Sequence, residues 1–225
     1  MPVAYLCDFD GTVSPEDIGA AFVRRFSSVP EAPRRALLAR WLAGEVGHRE
    51  LTALECEGLA VGEAEARAFA LGFRLDPHFA PFVREARGRG DAVMVVSEGF
   101  DFYIEDQLAR AGLADLPWAS NRARFEGGGV RPEFPWSEDG CGRCGNCKAQ
   151  HVRRYRALGF HTVLVGDGLS DRCGARAADA VLARGGLLAW CRAEGLPARP
   201  FESFRDVADY ARQRAAAAVP RREPR

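Results

Sequence analysis

Apolar residues follow two rhythms along this chain. Val3–Cys7, Ala92–Val96, Thr162–Val165 and Ala180–Ala183 are short, nearly continuous apolar runs bounded by polar residues or glycine. Runs of that length, apolar on both faces, read as strands buried from both sides. Helical spacing separates them, which predicts an α/β fold: a doubly wound, Rossmann-like parallel sheet with helices on both faces. Ahead of the second run, Asp76-Pro77 predicts a helix N-cap followed by proline at the first helical position. The helix should cover about 78–87 and stop at Gly88 or Gly90.

Between the first two runs the rhythm changes. From about Pro15 to Phe73 no strand pattern occurs, and bulky apolar residues recur at helical intervals: Ile18, Phe22 and Phe26, then Leu37, Leu38, Trp41 and Leu42, then Leu51 and Leu54. A connection this long exceeds what a crossover needs. It is read as a helical cap over 15–75, inserted into a core formed by 1–14 and 76–225. A second irregular stretch, 114–147, carries Gly127–Gly129, three prolines and two tryptophans, and holds a candidate hairpin of Ala119–Phe125 against Val130–Phe134. Its aromatics are read as core by default, with a lid or a dimer face as alternatives. After Gly185 a helix, a turn and a last helix over Phe204–Arg212 are expected, with a frayed tail over 215–225.

Composition narrows the class. In 225 residues, 47% are apolar and 28% charged, with 31 basic and 31 acidic side chains. The balance gives no electrostatic pull toward nucleic acid or an anionic membrane. No apolar run approaches the roughly 20 residues that span a bilayer. The first residues lack the basic and apolar blocks of a signal peptide. Seven cysteines in a chain able to build its own core point away from a secreted disulfide scaffold and toward a reducing cytoplasm. A monomer or a homodimer is expected.

The candidate chemistry sits at the ends of three of the strands: Asp8-Phe9-Asp10-Gly11-Thr12, then Ser97-Glu98-Gly99, then Gly166-Asp167-Gly168-Leu169-Ser170-Asp171. In an open parallel sheet, ligands bind outside the carboxyl ends of the strands, so these clusters should converge on one crevice. Asp8, Asp10, Asp167 and Asp171 cannot all stay ionised at close range without a cation. Their hard oxygens suit Mg²⁺. Nearby Gly, Ser and Thr offer N–H groups and hydroxyls to phosphate oxygens. Lys148, the single lysine of the chain, is the candidate counter-cation for a transferring phosphoryl group. Each motif alone is an ordinary turn or helix cap; their order, each after an apolar strand, makes them a site.

Together these residues resemble the four ordered motifs of the haloacid-dehalogenase-like phosphohydrolase superfamily, over residues 8 to 171. The resemblance implies Asp8 as nucleophile and Asp10 as general acid for the leaving group, then base for water. It implies Thr12, Ser97, Glu98, Gly99 and Lys148 around the phosphate, and Asp8, the Asp10 carbonyl, Asp167 and, through water, Asp171 around Mg²⁺. The helical insertion is placed like the cap of the phosphoserine-phosphatase-like branch, whose members act on small-molecule phosphate esters. Asp17 falls where that branch places a substrate-contacting acid. Arg49 is the candidate for an anionic end of the substrate, with a solvated helix surface as its alternative.

Cys141-x-x-Cys144-x-x-Cys147-Lys148 and Ser97-Glu98-Gly99-Phe100-Asp101-Phe102-Tyr103 are similar to stretches of the methionine-salvage phosphatases that act on 2-hydroxy-3-keto-5-methylthiopentenyl-1-phosphate. Glu98 departs from that pattern, putting an acid where those enzymes have glycine. Phosphoserine, phosphoethanolamine, phosphocholine and thiamine monophosphate stand as alternative substrates. The thiols allow a Cys₃His zinc site of Cys141, Cys144, Cys147 and His151, free thiols, or a disulfide. A redox protein, a zinc-binding module or a phosphoprotein-binding module without phosphatase activity are the readings outside enzymology.

Overall fold

In the computed structural model, residues 1–137 and 140–217 are described. Each apolar run is a strand: β1 (Val3–Cys7), β2 (Ala92–Phe100), then, after the hairpin, β5 (His161–Gly166) and β6 (Ala180–Ala183). The hairpin is present as β3 (Trp118–Glu126) and β4 (Gly129–Glu133), and a two-residue edge strand, β7 (Arg199–Pro200), joins late. The sheet order is β4-β3-β2-β1-β5-β6-β7. All pairings are parallel except β3 with β4. β7 has no hydrophobic run behind it, which is why the sequence does not announce it.

Burial on both faces explains the continuous apolar runs. Tyr5 and Cys7 of β1 point into one core, with Phe79 and Phe82 of α5 (Phe79–Gly88), Ile104 of α6 (Asp101–Arg110) and Phe204 of α10 (Phe204–Ala217). Ala4 and Leu6 point into the other, with Val152 of α7 (Lys148–Ala157), Ala175 of α8 (Arg172–Ala177) and Leu187 of α9 (Gly185–Ala193). The Phe204 ring lies 4.7 Å from Phe79 and 5.5 Å from Phe82. Each such fully buried ring contributes about 1.5–3 kcal/mol.

Four helices fill the stretch between β1 and α5: α1 (Ile18–Phe26), α2 (Glu31–Leu42), α3 (His48–Glu57) and α4 (Glu63–Ala70). α1 buries Ile18, Phe22 and Phe26, as their spacing implies. α2 buries nothing: Leu38 and Leu42 are 41% and 53% exposed.

Helix ends differ in detail from expectation. Asp76 lies two residues before His78, the N-cap of α5. Its carboxylate accepts the His78 N–H at 2.8 Å and, from the far end of the chain, the Phe204 N–H at 2.9 Å. It therefore ties α5 to α10. The last helix runs to Ala217, past the expected Arg212, and 218–225 of the expected frayed tail lie outside the described residues. Among the described residues, no helix is long and apolar enough to cross a membrane.

Candidate active site

β1 stands between β2 and β5, so the carboxyl ends of all three lie side by side. From β1 the chain turns through Asp8–Thr12. Gly11 has a φ of 72°, and a Cβ there would overlap the Asp167 carboxylate, so the turn requires glycine. From β5 it passes Asp167 and Gly168 into a short 3-10 turn, Leu169–Asp171.

On the floor of the crevice, carboxylate oxygens of Asp8, Asp167 and Asp171 lie within 4.8 Å of one another. Lys148, the first residue of α7, meets them from inside the protein. Its Nζ is 2.6 Å from Asp8 Oδ1 and also pairs with Asp171 Oδ1. Lys148 and Asp171 are fully buried. The other Asp171 oxygen accepts the N–H groups of Asp167 and Gly168 at 3.1 and 3.0 Å. Burial and the Asp171 charge push the Asp8 carboxyl up, and Lys148 pulls it down. Burial and the same Asp171 charge also push Asp167 up. Three acids facing one ammonium in a low-dielectric setting leave surplus negative charge. A surplus carried by hard oxygens is the donor set that fits Mg²⁺.

Asp10 points away from this floor. Its Oδ1 accepts the N–H of Ile18 at 2.9 Å and of Gly19 at 3.3 Å, at the start of α1. Its Oδ2 accepts the Tyr103 hydroxyl at 2.6 Å. Burial first, and the charge of Asp17 second, push Asp10 up to about 7. A carboxyl poised there can give and take a proton at neutral pH. Gly99 makes the arrangement possible: a Cβ on it would overlap the Tyr103 hydroxyl and lie 2.6 Å from Asp10 Oδ2.

Above the acids is a cavity of about 210 Å³, walled on its far side by α1, α2 and α3. Asp8, Asp10, Asp17, Ser97, Glu98, Gly99 and Asp167 line it, as the sequence leads one to expect of a site. Asp17 also caps α1 by accepting the Ala20 N–H at 2.7 Å. Ser97 Oγ accepts the Gly99 N–H at 2.8 Å.

Several expected roles shift. Thr12 is buried and is not among the lining residues; its hydroxyl donates to Asp167 Oδ1 at 3.3 Å, so it orders an acid instead of facing a phosphate. The Glu98 carboxylate is engaged by His48 Nδ1 at 2.8 Å and by the Gly145 N–H at 3.0 Å. Arg49 is exposed and outside the cavity, its N–H donating to the Arg143 carbonyl at 3.0 Å. The helical turn that sends Arg49 outward sends its neighbour His48 inward. His151 is not with the thiols: its Nε2 bonds Asn146 Oδ1 at 2.7 Å and its ring packs on Trp136. The fourth group beside Cys141, Cys144 and Cys147 is Cys173.

Sequence reasoning missed Tyr103, His48, Trp41 and Cys173 as parts of the site or of its surroundings. Tyr103 stands four residues after Gly99, one turn into the helix after β2, and that spacing was its available signal. The others face their partners only through the fold.

Comparison with known proteins gives three results. A family model described as haloacid dehalogenase-like hydrolase matches residues 5–176. A Brevibacillus brevis protein named 2-hydroxy-3-keto-5-methylthiopentenyl-1-phosphate phosphatase is 32% identical over 204 residues, covering 89% of this chain and 91% of its own. One of the same name from Geobacillus kaustophilus is 34% identical over 209 residues, covering 90% and 92%. Among solved structures, a phospho-aspartyl intermediate analogue of phosphoserine phosphatase superposes with a TM-score of 0.71 over 93% of this chain and 98% of that one. At 19% identity this last is a likeness of fold.

Proposed function

The chain belongs to the haloacid dehalogenase-like hydrolases, and from that membership we propose that it hydrolyses a small phosphate monoester, 2-hydroxy-3-keto-5-methylthiopentenyl-1-phosphate, through an aspartyl-phosphate on Asp8. The observation that carries the chemistry is the opposition of two acids. Asp8 lies on the floor with Lys148 at 2.6 Å, and Asp10 is pushed up to about 7 on the cavity side. The names of the relatives from Brevibacillus brevis and Geobacillus kaustophilus support the substrate.

Asp8 attacks phosphorus in line. The bond from phosphorus to the ester oxygen breaks, and Asp10 gives that oxygen its proton. Asp10, now a carboxylate, takes a proton from water as the water attacks the same phosphorus. The aspartyl bond breaks, releasing inorganic phosphate and restoring Asp8. Lys148 screens the repulsion between Asp8 and an anionic phosphate, and Asp171 and Thr12 fix Lys148 and Asp167. Asp8, Asp167 and, through Asp171, the 3-10 turn would hold Mg²⁺, whose charge offsets that of the phosphoryl oxygens. Ser97 and Gly99 stand beside Asp8 for the phosphate oxygens. Segment 15–75 acts as a cap that encloses the leaving group and keeps water out until Asp10 needs it. The thiols before Lys148 take no part in this chemistry, and a zinc ion among them would be structural. A reducing cytoplasm suits them.

The cavity wall favours an apolar leaving group. Val23, Leu38, Trp41 and Leu51 line it, as an alkyl thioether end requires, and among the described residues no arginine lines it to receive the carboxylate of phosphoserine. One observation favours a second reading: Asp17 and Glu55 together with the Trp41 ring also suit a cationic end, as in phosphocholine or phosphoethanolamine. A panel of these esters decides. The proposal expects kcat/KM for the methylthio ester to exceed that for phosphocholine and phosphoserine by on the order of 10²-fold. A preference for phosphocholine would reassign the leaving group. Absence of phosphate release from every ester in Mg²⁺ would remove the phosphatase.

A further inference from the structure

The thiols at the mouth of α7 make a cluster that the phosphatase chemistry leaves unused. Cys141, Cys144 and Cys147 come from the loop that ends at Lys148, and Cys173 comes from the first turn of α8. Their four sulfurs lie within 4.8 Å of one another, with Cys141 and Cys144 Sγ at 3.4 Å. All four cysteines are free, Cys144 and Cys147 are buried, and Cys141 is at the surface. We propose that Cys141, Cys144, Cys147 and Cys173 bind one structural zinc ion that clamps the Lys148 loop to the helix following Asp171.

The geometry is that of a single tetrahedral ion. Four thiolates at about 2.3 Å from zinc stand about 3.8 Å from each other, which the cluster spans with small shifts. Disulfide pairing would draw sulfurs together in twos and leave no reason for all four to share one centre. The spacing is also too compact for a multi-iron cluster, and a closed all-thiolate tetrahedron suits zinc. The loop is shaped for it. Gly142, inside the first Cys-x-x-Cys, has a φ of 76° and turns the chain tightly. Backbone N–H groups of Ala149 and Cys141 donate toward Cys147 Sγ, the outer support that thiolate ligands need. On binding, each thiol gives its proton to solvent.

The consequence lies in what the clamp joins. Cys147 is followed directly by Lys148, and Cys173 stands two residues after Asp171. Lys148 and Asp171 are the buried pair that meets Asp8. The same loop reaches β2 and the start of α3: the Gly145 N–H holds Glu98, the Arg143 carbonyl accepts the Arg49 N–H at 3.0 Å, and Arg143 donates to the Gly44 carbonyl, just before α3, at 2.6 Å. A filled site would therefore fix the lysine for catalysis and seat the loop against α3. Its zinc is a positioning element with no contact to substrate, and it is independent of which ester is cleaved.

The test is metal content, separate from activity. Protein purified without chelators should carry about one zinc per chain and keep it in Asp167→Asn and in His151→Ala, while Cys144→Ser and Cys173→Ser should lose nearly all of it. Because those cysteine variants could fail to fold, wild-type protein is also titrated with an organomercurial in the presence of a zinc-chelating dye. One zinc released as four thiols react supports the site. So does intense thiolate-to-metal absorption after exchange of the zinc for cobalt(II). Metal-poor protein with four freely reactive thiols here, zinc lost in Asp167→Asn but kept in Cys173→Ser, or iron in place of zinc would each overturn it.

Discussion

At the scale of single residues, the site depends on two acids two positions apart that face opposite ways. Asp8 shares Lys148 with Asp171, whereas Asp10 is held by the start of α1 and by Tyr103. Asp8→Asn removes the proposed nucleophile and should lower kcat by on the order of 10³-fold or more while the protein still folds, as read by steady-state phosphate release and circular dichroism. Tyr103→Phe tests the second acid. The Tyr103 hydroxyl favours the ionised form of Asp10, so losing it should raise the Asp10 pKa further above about 7. The alkaline limb of kcat/KM should then move to higher pH, with kcat down roughly 10-fold to 100-fold. An unchanged limb in Tyr103→Phe would sink the assignment of Asp10 to it.

Between elements, a largely buried ion pair joins His48 of α3 to Glu98 near the end of β2, at 2.8 Å. Burial pushes His48 down, but the Glu98 charge and hydrogen bond outweigh it and raise the histidine overall. Burial likewise opposes ionisation of Glu98, and the His48 charge and hydrogen bond outweigh it and hold Glu98 low. The signs define a window. The raised histidine stabilises fully below its unfolded pKa of about 6.5 and loses that as pH rises through its folded value. The depressed carboxyl stabilises fully above its unfolded pKa of about 4.3 and loses that as pH falls through its folded value. Both contributions are complete from about pH 4.5 to 6.5. The melting temperature of wild type minus that of Glu98→Gln should therefore be largest in that interval and shrink above it, measured by thermal melts across pH 4.5 to 9. A difference independent of pH would mean that the pair is neutral.

For the whole molecule, the sheet brings Asp8, Asp167 and Asp171 together with Lys148 as the one cation in ion-pair contact with them among the described residues, and that convergence costs stability that a bound cation would offset. Adding millimolar Mg²⁺ to protein dialysed free of divalent ions should raise its melting temperature, because a ligand that binds only the native state stabilises it. The same addition to Asp167→Asn should give a much smaller rise. Equal rises in both proteins would place the cation elsewhere.

Much of this was legible in the order of residues. The four apolar runs predicted β1 and β6 to the residue, β5 to within one residue at each end, and the start of β2, which runs on four residues through Ser97-Glu98-Gly99 to Phe100, because a strand buried on both faces must be apolar throughout. Asp8, Asp10, Ser97 and Asp167 followed from position, since a parallel sheet delivers its strand ends to one crevice whatever the intervening chain does; Lys148, at the start of a helix, stood out as the single lysine and by its place in the motif order. The rest was decided by contacts that leave no local trace. Nothing beside Cys173 marks it as a partner of Cys147; the packing of α8 on α7 supplies it. Arg49 and His48 are adjacent in sequence, and only the seating of α3 determined which of them met Glu98. Thr12 looked like a phosphate ligand until the register of β1 beside β5 set it against Asp167. Apolar runs and strand-end motifs are properties of short segments, so sequence alone determined the frame and its chemistry. Partners between distant segments depend on strand order and helix rotation, and those were settled by the tertiary structure.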